Sequence, residues 1–351
     1  MRLDWRAVLG LLVTALLLWW VFKGVDLSGV WVEIQGADFL LLGTAVTIAT
    51  ITFLLRALRW RVLLAPIHPG TSLRSRFAAV NIGFMANNLL PARVGEFARA
   101  YALARMEPVP ASGAFASLVV ERFLDGLAIV FFMLLAVAAP GFPRDMLSGG
   151  TALAGVIQGV MAILGVLLTF MAFLLLFPRP VVAMGERISG FLPRNMARLL
   201  VDSLKAFLDG LKVFQSPRLL ALAILWSLLI WAWQSLAFWV GFRAFGIQVG
   251  YDAALFVNAT VAFLVGVPAA PGFFGTFHAG ARMGLAAYGV PAAPTLAFAV
   301  GFHLGGFFPV TFIGLYYAWR LGLSLKEVET SEERVERAVE AAHPELPRSG
   351  A

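Results

Sequence analysis

Phe77 to Ala98 reads FAAVNIGFMANNLLPARVGEFA, and Ala262 to Gly280 reads AFLVGVPAAPGFFGTFHAG. Each is an apolar stretch broken in the middle by Pro, Gly and charge. Both lie in a chain that otherwise reads as membrane-spanning. Backbone that leaves the helix at membrane depth is tolerated only where protein or a water-filled cavity satisfies its polar groups. One such interruption in each half of a chain points to a transporter-type binding site.

The rest of the sequence supports a membrane setting. Of 351 residues, 60% are hydrophobic and only 13% charged, where soluble domains carry about a quarter charged residues. Mean hydropathy is +0.85. The formal charge of +7 fits inner-face loops and anionic headgroups. No zinc finger, RNA-recognition motif or basic tail suggests a nucleic-acid partner. Cysteine is absent, which excludes disulfides, thiolate catalysis and Cys-ligated metal.

Six stretches can each span a hydrocarbon core of about 30 Å: 6–22, 37–55, 111–138, 151–177, 219–241 and 293–318. The first is read as an uncleaved helix rather than a signal peptide, because no small-residue cleavage site follows Lys23. Two further stretches, 77–105 and 250–290, carry the interruptions. Basic residues concentrate in alternate connections: Arg56, Arg59, Arg61, Arg74 and Arg76; Arg93, Arg99 and Arg105; and seven Lys or Arg over 178–218. Loops 23–36 and 139–150 hold only Lys23 and Arg144. The basic set is therefore assigned to the cytoplasm, with both termini inside. The interrupted stretches must then enter and leave on opposite faces. The expected fold is an all-α polytopic membrane protein of about six full transmembrane helices plus two re-entrant broken segments. Its halves, near 37–138 and 219–318, would form an inverted repeat. The expected transmembrane domain covers 1–322, with 181–215 as an amphipathic interfacial helix. A Glu-rich cytoplasmic tail, 323–351, is read as a short solvated helix followed by disorder.

Charges inside spans are costly and need partners or water. In LPARVGEFARAYAL, Arg93, Glu96 and Arg99 recur every three residues. Pro91 and Ala92 place a helix start at Arg93, where free N–H groups plus the guanidinium could hold an anion. The alternative is a structural ion network. In VVERFLDGLAIV, Glu121 and Asp125 share one helix face, about 15–21 Å into the span, with Arg122 beside them. They could bind a cationic group or take up protons, or pair with Arg93 or Arg99 to hold the broken segment. In RALRWRVLL, Arg56 and Arg59 with Trp60 read first as interfacial anchors, with phosphate binding as the second reading. In the second half, Pro271-Gly272 marks a turn, and His278 and Arg282 are four apart. His303 lies among Gly301, Gly305 and Gly306, which suggest close helix packing. The Asn258-Ala259-Thr260 sequon lies in an apolar run and is read as irrelevant. No P-loop, His-Glu-x-x-His or Gly-x-Ser-x-Gly occurs. No metal site and no cofactor is expected.

Together, RALRW at 56–60, NNLLPARVGEFARAYAL at 87–103, ERFLD at 121–125 and PAAPGFFGTFHAG at 268–280 resemble the flippase-like family. It is also called the lysylphosphatidylglycerol synthase transmembrane region family. The resemblance covers about residues 5–322. It implies a polytopic bundle with re-entrant segments around a lipid-accessible cavity. It also implies handling of a phospholipid or a hopanoid or polyprenyl lipid. Arg93, Glu96 and Arg99 match the polar centre of the family motif, and Glu121, Arg122 and Asp125 match its acidic helix. The match departs at Gly275-Thr276-Phe277-His278, where the family pattern carries Glu in the last place. No carboxylate role carries over there. The residues after 322 are too few for the aminoacyltransferase domain of fused members, so no synthesis of aminoacyl lipid is expected.

The reading is thus a non-enzymatic lipid transporter of a bacterial or archaeal inner membrane. It would move a phosphate-bearing polar lipid between leaflets. Its partners would be anionic or zwitterionic phospholipid or polyprenyl-phosphate lipid, with no nucleic acid and no oligomeric state implied. The expected binding residues are Arg59, Arg93, Glu96, Arg99, Glu121, Arg122, Asp125, His278 and Arg282. Two rival readings are a membrane enzyme using Glu121 or Asp125 as acid or base, and a docking subunit for a lipid-synthesis enzyme.

Overall fold

The computed structural model describes residues 5–90, 93–144, 187, 216–267 and 269–342. The expected span at 151–177 and, apart from Arg187, the amphipathic segment at 181–215 lie outside the described residues. Those described form twelve α-helices and no strand.

Helix α1 (Trp5–Phe22) turns by 84° into α2 (Leu27–Gln35). Gly24 supplies the left-handed backbone of the turn at φ 72°, and the Asp26 carboxylate then caps α2 at the Ser28 N–H. Asp38 caps α3 (Phe39–Leu64) by accepting from the Leu40 and Leu41 N–H groups. After α3 come α4 (Leu73–Leu89), α5 (Gly95–Met106) and α6 (Ala111–Ala138). The second half repeats the order: α7 (Pro217–Ala244), α8 (Tyr251–Val265), a 3-10 turn (Pro271–Phe273), α9 (Thr276–Ala287) and α10 (Ala292–Arg320). Helices α11 (Leu325–Glu329) and α12 (Ser331–Ala342) follow. By length and composition α3, α7 and α10 can each cross a membrane, and α1 with α2 can form a broken crossing. Helix α6 has 28 residues but carries Glu121, Arg122 and Asp125. The fold is that of an all-α polytopic membrane protein.

The two interrupted stretches fold as helical hairpins. In the first, Gly83 of α4 and Gly95 of α5 face each other so closely that a Cβ on Gly95 would strike the Gly83 carbonyl and the Asn87 side chain. In the second, a Cβ on Gly280 of α9 would strike the Val261 backbone of α8. Close backbone approach is what glycine permits. Helix pairing is symmetric under exchange of α3, α4, α5 and α6 for α7, α8, α9 and α10. Helix α3 runs along α7; α4 packs on α10 as α8 packs on α6; α5 packs on α6 as α9 packs on α10.

Cross-links fix the helix directions. The Asp38 N–H donates to the Ala244 carbonyl at 2.8 Å, and Arg59 Nη1 donates to Ser227 Oγ at 2.9 Å, so α3 and α7 are antiparallel. Asn88 Nδ2 donates to Thr311 Oγ1 at 2.8 Å, while Gly314 abuts Asn81, so α4 and α10 are antiparallel. One end of the bundle therefore gathers the exposed Arg61, Arg74, Arg105, Arg218 and Arg320. The first hairpin enters from that end and the second from the opposite end. The described start of the expected tail packs on the bundle rather than standing in solvent: Val328, Ser331 and Val335 are buried, and Arg334 donates to the Tyr101 hydroxyl of α5 at 2.5 Å.

Candidate functional site

Where the hairpin tips meet, both backbones are unusual. Arg93 (φ 57°) and Phe273 (φ 61°) are the non-glycine residues with positive φ among the described residues, one in each break. Such backbone persists only where its surroundings fix it. Here Arg93 Nη1 donates to the Gly266 carbonyl at 2.8 Å, and its guanidinium lies 5.4 Å from the Phe273 ring centroid. The first break thus satisfies a helix-end carbonyl of the second. Helix α5 starts at Gly95, two residues beyond the expected start, because Arg93 adopts left-handed backbone. The Gly95 N–H donates to Asn87 Oδ1 at 2.8 Å, so this donor of the expected anion site is already used.

Beside the tips lies an ionic knot, buried except for the exposed Arg122. Arg56 and Arg59 project from one face of α3, and Glu121 and Asp125 from one face of α6, as their spacing requires. Glu121 accepts from Arg99 through both oxygens (2.6 and 3.0 Å) and from Arg122 Nη2 at 2.7 Å, with Arg59 Nη2 at 3.2 Å. Asp125 accepts from Arg59 Nη1 at 2.5 Å, Arg56 Nη1 at 3.2 Å and Trp231 Nε1 at 3.0 Å. The Arg99 guanidinium sits 4.0 Å from the Trp60 ring centroid. Arg59 and Trp60 are wholly buried and Arg56 nearly so. These residues are core, not interfacial anchors: α3 continues to Leu64, past the expected end at 55, and carries them inside the bundle. Four guanidiniums meet two carboxylates, so the knot is short of negative charge. The Nε atoms of Arg59 and Arg99 are buried with no hydrogen-bond partner among the described residues.

Of the expected residues, Arg59, Arg99, Glu121, Arg122 and Asp125 come together. Arg93, Glu96 and Arg99 do not form a network among themselves: Arg93 goes to the tip, Arg99 to the knot. Glu96 lines a small crevice with Asn87, Arg99 and Arg122. His278 and Arg282 share α9 but part company. Arg282 donates to the Trp20 and Val21 carbonyls at 2.5 Å each, closing the end of α1. His278 is buried against His303, with ring centroids 5.2 Å apart, amid Phe274 and Phe277. No group of three His, Asp or Glu able to hold a metal occurs among the described residues.

Between α3, α7, α10 and both hairpins lies a cavity of about 230 Å³. Its polar wall comprises Thr52, Arg56, Asn88, Gln234, Asn258 and His303; the rest is mostly aromatic. Arg56 spends Nη1 on Asp125 and is flanked by the Phe84 and Trp231 rings. Asn258 Nδ2 donates to Ser235 Oγ at 3.0 Å, so the residue dismissed as a stray sequon lines the cavity. Gln234, the one amide in the run IWAWQSLAF, and Asn258 are sequence signals for this wall beside Arg56 and His303.

Two opposed broken hairpins, touching at their tips beside a largely aromatic cavity with a polar edge and an arginine cluster, define a polytopic membrane protein with an interior cavity. The sequence profile described as lysylphosphatidylglycerol synthase TM region matches residues 7–314, and the chain belongs to that family. It is 25% identical over 321 residues to a UPF0104 membrane protein of Methanothermobacter thermautotrophicus, covering 88% of this chain and 90% of that one. A second UPF0104 membrane protein of that organism is 27% identical over 259 residues, 69% of this chain and 74% of the relative. Glycosyltransferase AglD of Haloferax volcanii is 32% identical over 181 residues, 46% of this chain but only 29% of AglD.

Proposed function

We propose that this protein is a lipid transporter that carries a phosphate-bearing polar lipid between leaflets through the cavity between the hairpins. The observation that carries this reading is the arginine surplus against that cavity. Glu121 and Asp125 share four arginines, Arg59 and Arg122 pairing with both, so the charge left for a ligand is positive. Arg56 is the member of the knot that reaches the cavity wall, and guanidinium suits phosphate oxygens. Arg59, Arg99 and Arg122 would add to the positive field behind it. Glu96 and Arg122 would form a second polar step along the first hairpin. The aromatic wall would shield the lipid's apolar portion, and His278 and His303 would close the far side. Arg93 would act by joining the hairpin tips and Arg282 by fixing α1 to α9.

Transport is favoured over catalysis because Glu121 and Asp125 are committed to ion pairs, leaving no free buried acid–base pair among the described residues. With the arginine-rich end in the cytoplasm, the first hairpin opens inward and the second outward, as in an inverted repeat. The setting would be an archaeal or bacterial cell membrane.

The test is leaflet-resolved movement of a fluorescent anionic phospholipid in proteoliposomes. Arg56→Gln and Arg93→Ala should each abolish protein-dependent movement while the protein stays monodisperse and folded. Wild-type movement in Arg56→Gln would reject the phosphate assignment.

A further inference from the structure

The outer face of the bundle carries a second hollow, separate from the interior cavity. Between α3 and α10, on the side away from the knot, runs a groove of about 770 Å³. That volume is within the range of small-molecule sites, about 300–1,000 Å³. Its walls meet where Val46 rests on Gly305. From there it runs past Thr50, Leu54 and Pro309 to Phe77 and Arg74, on the first turns of α4 at the arginine-rich end.

The chemistry of the groove is that of an amphiphile with one anionic end. Thr47 and Thr50 lie in its wall, yet their hydroxyls donate to the Gly43 and Val46 carbonyls of their own helix at 2.8 Å each. They turn methyl groups, not free hydroxyls, toward an occupant. Pro309 offers no N–H. The Phe77 and Tyr317 rings pack edge to face, centroids 6.0 Å apart, near the charged end. Arg74 is exposed, lines the groove as its one charged residue, and has no carboxylate partner among the described residues. A second copy of this chain would have to bring a carboxylate to Arg74, and the exposed faces of α3 and α10 carry none.

We propose that this groove binds one anionic glycerophospholipid of the surrounding bilayer, an acyl chain lying between α3 and α10 and the phosphate against Arg74. Anionic headgroups gain about 1 kcal/mol from each basic side chain near the surface, so the site should select charge as well as shape. It requires only that the protein sits in a bilayer, not that it transports.

The experiment uses the full-length protein in nanodiscs containing a phosphatidylglycerol probe with a photoreactive group midway along one acyl chain. Labelled peptides are mapped by mass spectrometry, and the matching phosphatidylcholine probe is run in parallel. The expected result is labelling concentrated on 46–54 and 309–317, favouring phosphatidylglycerol. Arg74→Gln should lower phosphatidylglycerol labelling about fivefold, with Arg74→Lys restoring most of it. Thr50→Trp, which fills the groove, should remove labelling there; a variant that fails to fold is replaced by Ile51→Trp, on the same wall. Labelling spread evenly over all lipid-facing helices, equal labelling by both probes, or an unchanged signal in Arg74→Gln would each overturn the proposal. Cross-links between two copies of the chain in the groove would overturn it too. Groove capture without lipid movement would defeat the transport reading and leave this site standing. Movement without capture would do the reverse.

Discussion

Removing the charge of Glu121 is the sharpest probe of the buried knot. Its carboxylate is fully buried, accepts from Arg99 and Arg122, and forms an ion pair with Arg59. Glu121→Gln keeps the shape but leaves four guanidiniums facing Asp125 alone. Breaking a buried pair by removing one partner costs about 3–5 kcal/mol, a large part of a typical stability of about 5–15 kcal/mol. At about 2 °C per kcal/mol for a large chain, the melting temperature should fall by about 6–10 °C. Adding Arg99→Met removes the guanidinium bound most directly to Glu121 and restores the original surplus of two positive charges. The double variant should therefore recover about half of the loss, a coupling within the range seen for residues sharing one network. The assay is thermal unfolding of detergent-solubilised protein, followed by loss of the monodisperse chromatographic peak. A single-variant loss under about 1 kcal/mol, the value of an exposed pair, would refute the reasoning. So would strictly additive losses in the double variant.

Two further predictions concern the scaffold. Gly280→Ala places a methyl group against the Val261 backbone and should cost about 1–3 kcal/mol by overpacking; an unchanged thermal midpoint would show that the hairpin is loosely packed. Glu327 sits below the usual carboxylate range because the Ser324 N–H and hydroxyl donate to it. A depressed folded-state value means its contribution is present above the unfolded value and is lost as pH falls through the folded one. A spin label at Glu333→Cys, the only thiol in the chain, should therefore show the docked spectrum at neutral pH and grow more mobile as the pH falls below the ordinary carboxylate range. A spectrum unchanged through that acid range would reject the cap's role in docking α12.

Much of the architecture is legible in the sequence because spans are long and apolar, and hairpin tips need Pro, Gly and charge. The expected span at 111–138 coincides with α6, and both broken stretches fall at the hairpins. The end of α3 was missed for a physical reason. Arg56, Arg59 and Arg61 read as the rim of the membrane, yet Glu121 and Asp125 neutralise the first two inside the bundle, so the helix continues. Neutralisation of this kind depends on which helices become neighbours, and spacing within one helix does not carry that information. The pairing of Arg99 with Glu121 was among the sequence alternatives; that of Arg93 with a backbone carbonyl was not. The cavity wall was illegible for the same reason, since Thr52, Asn88, Gln234 and Asn258 come from four separate helices. His278 and Arg282 shared a face by spacing but found partners on different elements.

The central claim is that lipid passes through the cavity between the hairpins, and Gly306 allows the most direct test. Gly306 lines the cavity, and a Cβ placed there meets nothing within 4 Å. Gly306→Leu has open space for its Cβ, should narrow the passage and should improve helix propensity by about 0.8 kcal/mol. In the leaflet-resolved proteoliposome assay, the account predicts that this variant keeps or raises its thermal midpoint and loses lipid movement. Wild-type movement through a folded Gly306→Leu protein would contradict it.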